Sequence, residues 1–119
     1  MRDLAKSQVL AAARTLIKPV YIMTRSLPDN ERYGLSSQIQ RAVISVAANI
    51  GEGLGRGTEG DFERHLRIAS GSAAELEVLL DAAVDLELLG RKQVLEVRRE
   101  LRVLRAQLFR LAIRVSASR

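Results

Sequence analysis

The sequence predicts an all-α protein, an up-down-up-down antiparallel four-helix bundle, and three observations carry that prediction. Apolar residues make up 47% of the 119 residues, and 18 Leu and 15 Ala supply more than half of them, while aromatics are 3% and Pro occurs twice. A mixture rich in Leu, Ala, Arg and Glu favours helices; a β-sandwich draws on Val, Ile, Thr and aromatics. Turn and glycine signals cut the chain into four segments of helix length. Within each segment apolar residues return at steps of three and four, the period of a helix with one buried face. The length suits one domain over residues 1–119, large enough to bury roughly 65% of its unfolded surface.

The first segment covers about residues 4–26. Val9, Ala13, Leu16, Val20, Met23 and Leu27 form its stripe, widened by Leu10, Ile17 and Tyr21. Pro19 lies in its interior, which predicts a kink or break there. Leu27-Pro28-Asp29-Asn30 is a turn signal. The second segment, about 35–51, carries Leu35, Ile39, Ala42, Val46 and Ile50. Gly51, Gly53, Gly55, Gly57 and Gly60 then place five of the eight glycines within ten residues, and predict a flexible loop. The third segment, about 58–89, opens on Thr58 as N-cap, with Asp61 placed to complete a capping box. Its stripe is Phe62, Leu66, Ala69, Ala73, Leu76, Leu80 and Ala83, and Gly90 is the expected residue beyond its C-terminus. The fourth, about 92–115, keeps a three-four spacing through Val94, Val97, Leu101, Leu104, Leu108, Leu111 and Val115, the seam of a long helix lying alongside others. Short connections between such segments make an up-down bundle.

Two helices carry more apolar residues than one buried stripe needs. The third adds Ile68, Val78, Leu79, Ala82, Leu86 and Leu88; the fourth adds Leu95, Val103, Phe109 and Ile113. A helix apolar on two sides implies a second neighbour, so Val78, Leu79, Leu86, Leu95 and Val103 are candidate oligomer-interface residues.

Charge is unevenly distributed. Residues 91–119 hold nine Arg or Lys against two Glu, a balance of +7, whereas the first ninety residues balance to −2. That asymmetry points to an anionic partner. Arg91, Lys92, Arg98, Arg99, Arg102, Arg105, Arg110 and Arg114 are the candidate nucleic-acid-binding residues. None occupies the Val94–Val115 seam, and the four-three spacing of Arg98, Arg102 and Arg105 puts those three on one face. The competing account is that these arginines neutralise Glu77, Asp81 and Asp85, which stack at four-residue steps on the third segment and would otherwise repel one another.

The chemistry of catalysis is poorly represented. Without Cys there is no disulfide scaffold, Cys-based zinc site or Cys nucleophile. The single His65 has no Glu three residues before it, so the carboxylates do not make a di-iron pattern, and no metal or cofactor is expected. No G-x-S-x-G and no P-loop occurs. Gly55-Arg56-Gly57-Thr58-Glu59-Gly60 matches G-x-G-x-x-G, but no strand precedes it, and the dinucleotide fingerprint requires one. A milder reading makes Arg56 and Thr58 a possible anion site at a helix N-terminus. Asn49 and Glu52 are expected to hydrogen-bond loop or neighbouring-subunit backbone. No apolar run reaches the roughly 20 residues of a membrane span, and the N-terminus is not a secretory signal. A cytoplasmic protein without a membrane partner is expected.

Several motifs occur together in one order: Leu27-Pro28, Glu31-Arg32-Tyr33-Gly34-Leu35, Gln38-Ile39, Arg41-Ala42 and Ser45-Val46-Ala47-Ala48-Asn49-Ile50-Gly51-Glu52-Gly53. Gly55-Arg56, Thr58, Asp61-Phe62, Ile68-Ala69, Gly71-Ser72 and Glu75-Leu76 follow. Over about residues 20–90 the chain resembles the four helix bundle protein family, also called the ribosomal-RNA intervening-sequence protein family. It departs where the family commonly has Pro (here Ala47) and Ala (here Gly51). The resemblance implies an up-down bundle that assembles into a homopentameric, ring-like oligomer with no known catalytic activity. A related branch, the accessory proteins of diversity-generating retroelements, is described as basic pentamers that bind nucleic acid and a reverse transcriptase; no residue here assigns the chain to it. Two functions follow as expectations: a non-enzymatic oligomeric module that binds RNA or DNA, or a structural, protein-interaction ring whose arginines serve solubility and intersubunit pairing.

Overall fold

The computed structural model describes residues 3–118, all in helices and short connections. The first rod is two helices end to end, α1 (Leu4–Thr15) and α2 (Ile17–Thr24). Asp3 caps α1 by accepting the Ala5 N–H at 3.0 Å. The rod breaks at Leu16, three residues before the proline. A proline ring crowds the carbonyl four residues back and offers it no N–H; for Pro19 that carbonyl belongs to Thr15. The Leu16 N–H accordingly turns to Ala13 O, 3.2 Å away.

Pro28 leads into a 3-10 turn at Asp29–Glu31, and α3 then runs from Leu35 to Arg56. The glycine run is therefore mostly helix, not the flexible loop expected of it. Gly53 explains why: a Cβ there would lie 2.7 Å from His65 Cβ and 3.2 Å from the Phe62 ring. The glycine lets two helix backbones approach. Only Gly57, at φ +87°, adopts the left-handed conformation that ends the helix. Thr58 then caps α4 (Glu59–Asp85), accepting the Asp61 N–H at 3.2 Å.

α4 stops four residues before the predicted 89. Glu87 takes φ +61°, the Leu88 N–H reaches Ala83 O at 2.9 Å and the Glu87 N–H reaches Val84 O at 2.9 Å. These two bonds are the Schellman pattern, with Glu87 where a glycine is usual. Gly90 instead precedes α5 (Arg91–Ala117), its N–H donated to the Gln93 side chain at 3.3 Å.

Pairings across the rods establish the topology. Ser45 meets Ser72 at 2.8 Å and Glu52 approaches His65, so α3 and α4 run antiparallel. Glu77 pairs with Arg105 and Asp81 with Arg98, so α4 and α5 do as well. Asp3 pairs with Arg114 near the end of α5, and Gln93 near its start bonds Ser26, closing the up-down-up-down bundle. The four predicted stripes line one core, with Leu35 only partly buried; of the residues that widen the first stripe, Leu10 and Ile17 are partly buried and Tyr21 is exposed, while Ile39, Ile50, Leu66, Leu76, Leu80, Leu101 and Leu108 are sealed from solvent. Among the described residues no helix is long and apolar enough to cross a membrane.

Candidate nucleic-acid interface

α5 buries its whole apolar seam, which leaves its cations on the outside and flanks of one long helix. The structure divides them. Arg105 forms an ion pair with the largely buried Glu77, and Arg98 lies 3.3 Å from Asp81. These two are turned toward α4 and partly neutralised there, a correction to the expectation that the whole set points outward. Repulsion within the carboxylate stack is relieved the same way, although Asp85 has no cation partner among the described residues. Arg98 retains one buried unpartnered atom, Nε. Arg114 pairs with Asp3, the N-cap of α1, and Arg99 stands 3.9 Å from Glu96, at the limit of an ion pair. Arg91, Lys92, Arg102 and Arg110 are exposed and form no ion pair with any described residue. Of the eight candidate cations, four along α5 are thus without an ion-pair partner among the described residues.

The glycine turn does not gather positive charge. Arg56 is bonded to Glu52 at 3.0 Å, the Thr58 hydroxyl accepts the Asp61 N–H, and Glu59 and Asp61 place carboxylates on the first turn of α4. Arg56 and Thr58, the residues of the expected anion site, thus each have a partner within the chain, and the two acids compete with an anion for the positive end of the helix dipole. Asn49 bonds within its own helix, its Nδ2 donating to Ser45 O at 2.9 Å and Ser45 Oγ at 3.1 Å. His65 is buried, its Nδ1 2.9 Å from Asp61 O and its Nε2 3.6 Å from Glu52. Among the described residues no three His, Cys, Asp or Glu side chains gather as a metal site would require.

Of the candidate interface residues, Val78, Leu86, Leu95 and Val103 are exposed, at 67%, 61%, 45% and 59%. Leu79 is partly buried against the core of its own chain. Leu95 and Val103 are eight residues apart, about 80° around the helix, and lie on different flanks of α5. Leu95 borders a cavity against α4 and Val103 one against α1.

Sequence reasoning missed the groove between α1 and α5. Near its open end a cavity of about 290 Å3 has Ala5, Val9 and Leu111 as its apolar lining, with Gln8, Gln107, Arg110 and Arg114 around them. The arginines were legible from charge. The glutamines belong to no motif, and only the pairing of two distant helices brings them together.

A family model described as 23S rRNA-intervening sequence protein matches residues 5–110. The chain belongs to this family. The match extends from α1 well into α5, so all four rods of this intervening-sequence protein fall within it. A solved structure, a protein of unknown function from the S23 ribosomal protein family of Bacteroides thetaiotaomicron, superposes with a TM-score of 0.84 at 22% identity, over 92% of this chain and 98% of the other. At that identity the likeness establishes the shared helical fold. No curated protein matches the chain. Neither description names an enzymatic activity.

Proposed function

We propose that this intervening-sequence family protein is a non-enzymatic, cytoplasmic homo-oligomer whose basic surface binds RNA or DNA through phosphates. The observation that carries the reading is the set of four exposed cations on α5, Arg91, Lys92, Arg102 and Arg110, that no described carboxylate neutralises. Phosphate contacts of this kind supply affinity without sequence preference. Aromatics, the usual stacking platforms for bases, are only 3% of the chain. Binding to arbitrary nucleic acid is expected to weaken steeply between about 50 and 200 mM salt. Undetectable binding at the lower salt rejects the proposal.

Assembly into a ring, five-membered as the family resemblance implies, is supported by apolar side chains left exposed on separate faces of one chain: Val78 on α4 and Leu86 just past its end, and Leu95 and Val103 on different flanks of α5. Different apolar patches on one chain suit a head-to-tail contact between copies, and such contacts close into rings when the rotation permits. Light scattering should give about five times the 13.2 kDa chain mass; a monomer at micromolar concentration overturns the assembly. The second reading, a ring that binds no nucleic acid, is favoured by the Arg98–Asp81 and Arg105–Glu77 pairs, and the salt titration separates the two.

A further inference from the structure

The cavity between α1 and α5 holds polar groups that the fold itself does not use. Exposed Gln8 on the α1 side and half-buried Gln107 on the α5 side line it, and neither side chain hydrogen-bonds any described residue. Arg110, beside Gln107, has no ion-pair partner, whereas Arg114 is held at the rim by Asp3. The remaining lining is aliphatic, from Ala5, Val9 and Leu111. A primary amide presents a donor and an acceptor side by side, the pattern that recognises the edge of a nucleobase. A free guanidinium suits a phosphate. At about 290 Å3 the space is of the size of a small-ligand pocket.

Resting on the nucleic-acid reading above, we infer that this groove takes one unpaired nucleotide of a single strand, its base between Gln8 and Gln107 and its phosphate on Arg110. A base inside a duplex is stacked and cannot enter a cleft between two helices, whereas an unpaired base can be splayed into it. The groove therefore gives the protein a preference for single strands that the outer cations alone would not give. The site is apart from Arg91 and Lys92, which lie 19 and 18 residues before Arg110 on α5, about 27–28 Å along the helix.

The test uses full-length protein and two fluorescent probes of mixed sequence, a 12-nucleotide single-stranded RNA and a 12-base-pair duplex, titrated at several salt concentrations. Gln8→Ala with Gln107→Ala should weaken single-strand binding by about five- to tenfold, the low end for losing a bidentate base contact. Duplex affinity and both salt slopes should stay as they were. Arg91→Gln with Lys92→Gln should weaken both probes and flatten both slopes, by about 0.7 per lost contact on the single strand. If the glutamine pair leaves single-strand binding unchanged, or weakens both probes equally, the nucleotide site is overturned while the electrostatic reading stands. If the unaltered protein binds neither probe, both fall. A changed oligomer mass in the glutamine variant shows that another copy fills the groove, and also overturns the site. Unchanged thermal melting confirms that the variants fold.

Discussion

Two glycines of similar sequence context have opposite roles once the neighbours are known. A Cβ at Gly53 would strike His65 Cβ at 2.7 Å, where both helix backbones are held by the core around Phe62 and Ile50. Gly53→Ala is expected to cost about 1–3 kcal/mol, as overpacking of a tight contact does. Gly71 lies exposed in the middle of α4, and a Cβ there meets nothing within 4 Å. Gly71→Ala should stabilise the isolated chain by about 0.5–1 kcal/mol, because the methyl removes backbone freedom from the unfolded state at no steric cost. Urea unfolding of the two variants side by side checks both signs. The sequence presents both positions as glycines inside or next to a helical pattern; the difference comes from residues on another helix.

At the scale of the element, helix ends show what local chemistry can and cannot dictate. Asp3 and Thr58 cap α1 and α4 through bonds to N–H groups two and three residues on, which adjacent residues alone specify. The end of α4 is different. Its left-handed residue is Glu87, although Gly90 was the natural candidate. Leu89 is buried and Leu88 packs against the core, so the chain must turn early enough to bring both leucines inward. Glu87→Gly should therefore raise stability by up to about 1 kcal/mol, by removing the Cβ penalty of the left-handed region. An unchanged or lower melting temperature would contradict that account. In the first rod, Pro19 announces a break and the structure puts it at Leu16, because the crowded carbonyl lies on the preceding turn.

The whole molecule decides which charges are available to a partner. Arg98 and Arg105 face the carboxylates of α4, while Arg91 and Lys92 face solvent. Changing Arg105 to Gln leaves Glu77, 13% exposed, without its cation, and should cost about 1–2 kcal/mol of stability while barely altering nucleic-acid affinity. Changing Arg91 and Lys92 should do the reverse. Thermal melting and salt-dependent binding, measured on both variants, separate structural from recognition arginines. For assembly, Leu86→Arg should lower the oligomer mass and Ser118→Arg should not. In the proposed assembly the first would place a charge in the contact between copies, where it is costly to bury, and the second adds one at an exposed position just past α5.

By itself the sequence determined the helical class, the four rods and the core. The Val94–Val115 seam and the Phe62–Ala83 stripe are buried at every position named from spacing alone. Helix periodicity is a local property, and a three-four repeat can bury only one face. Family membership was legible in the same way, from ordered motifs between Leu27 and Leu76. Tertiary structure alone decided that α3 continues through its glycines, that α4 turns at Glu87, that Arg98 and Arg105 are paired, and that Gln8 and Gln107 face one groove. Each depends on groups on different helices, or on where the core draws the chain. The close approach of Gly53 to His65, the ion pairs of α5 with α4 and the α1–α5 cavity exist only after the rods have packed.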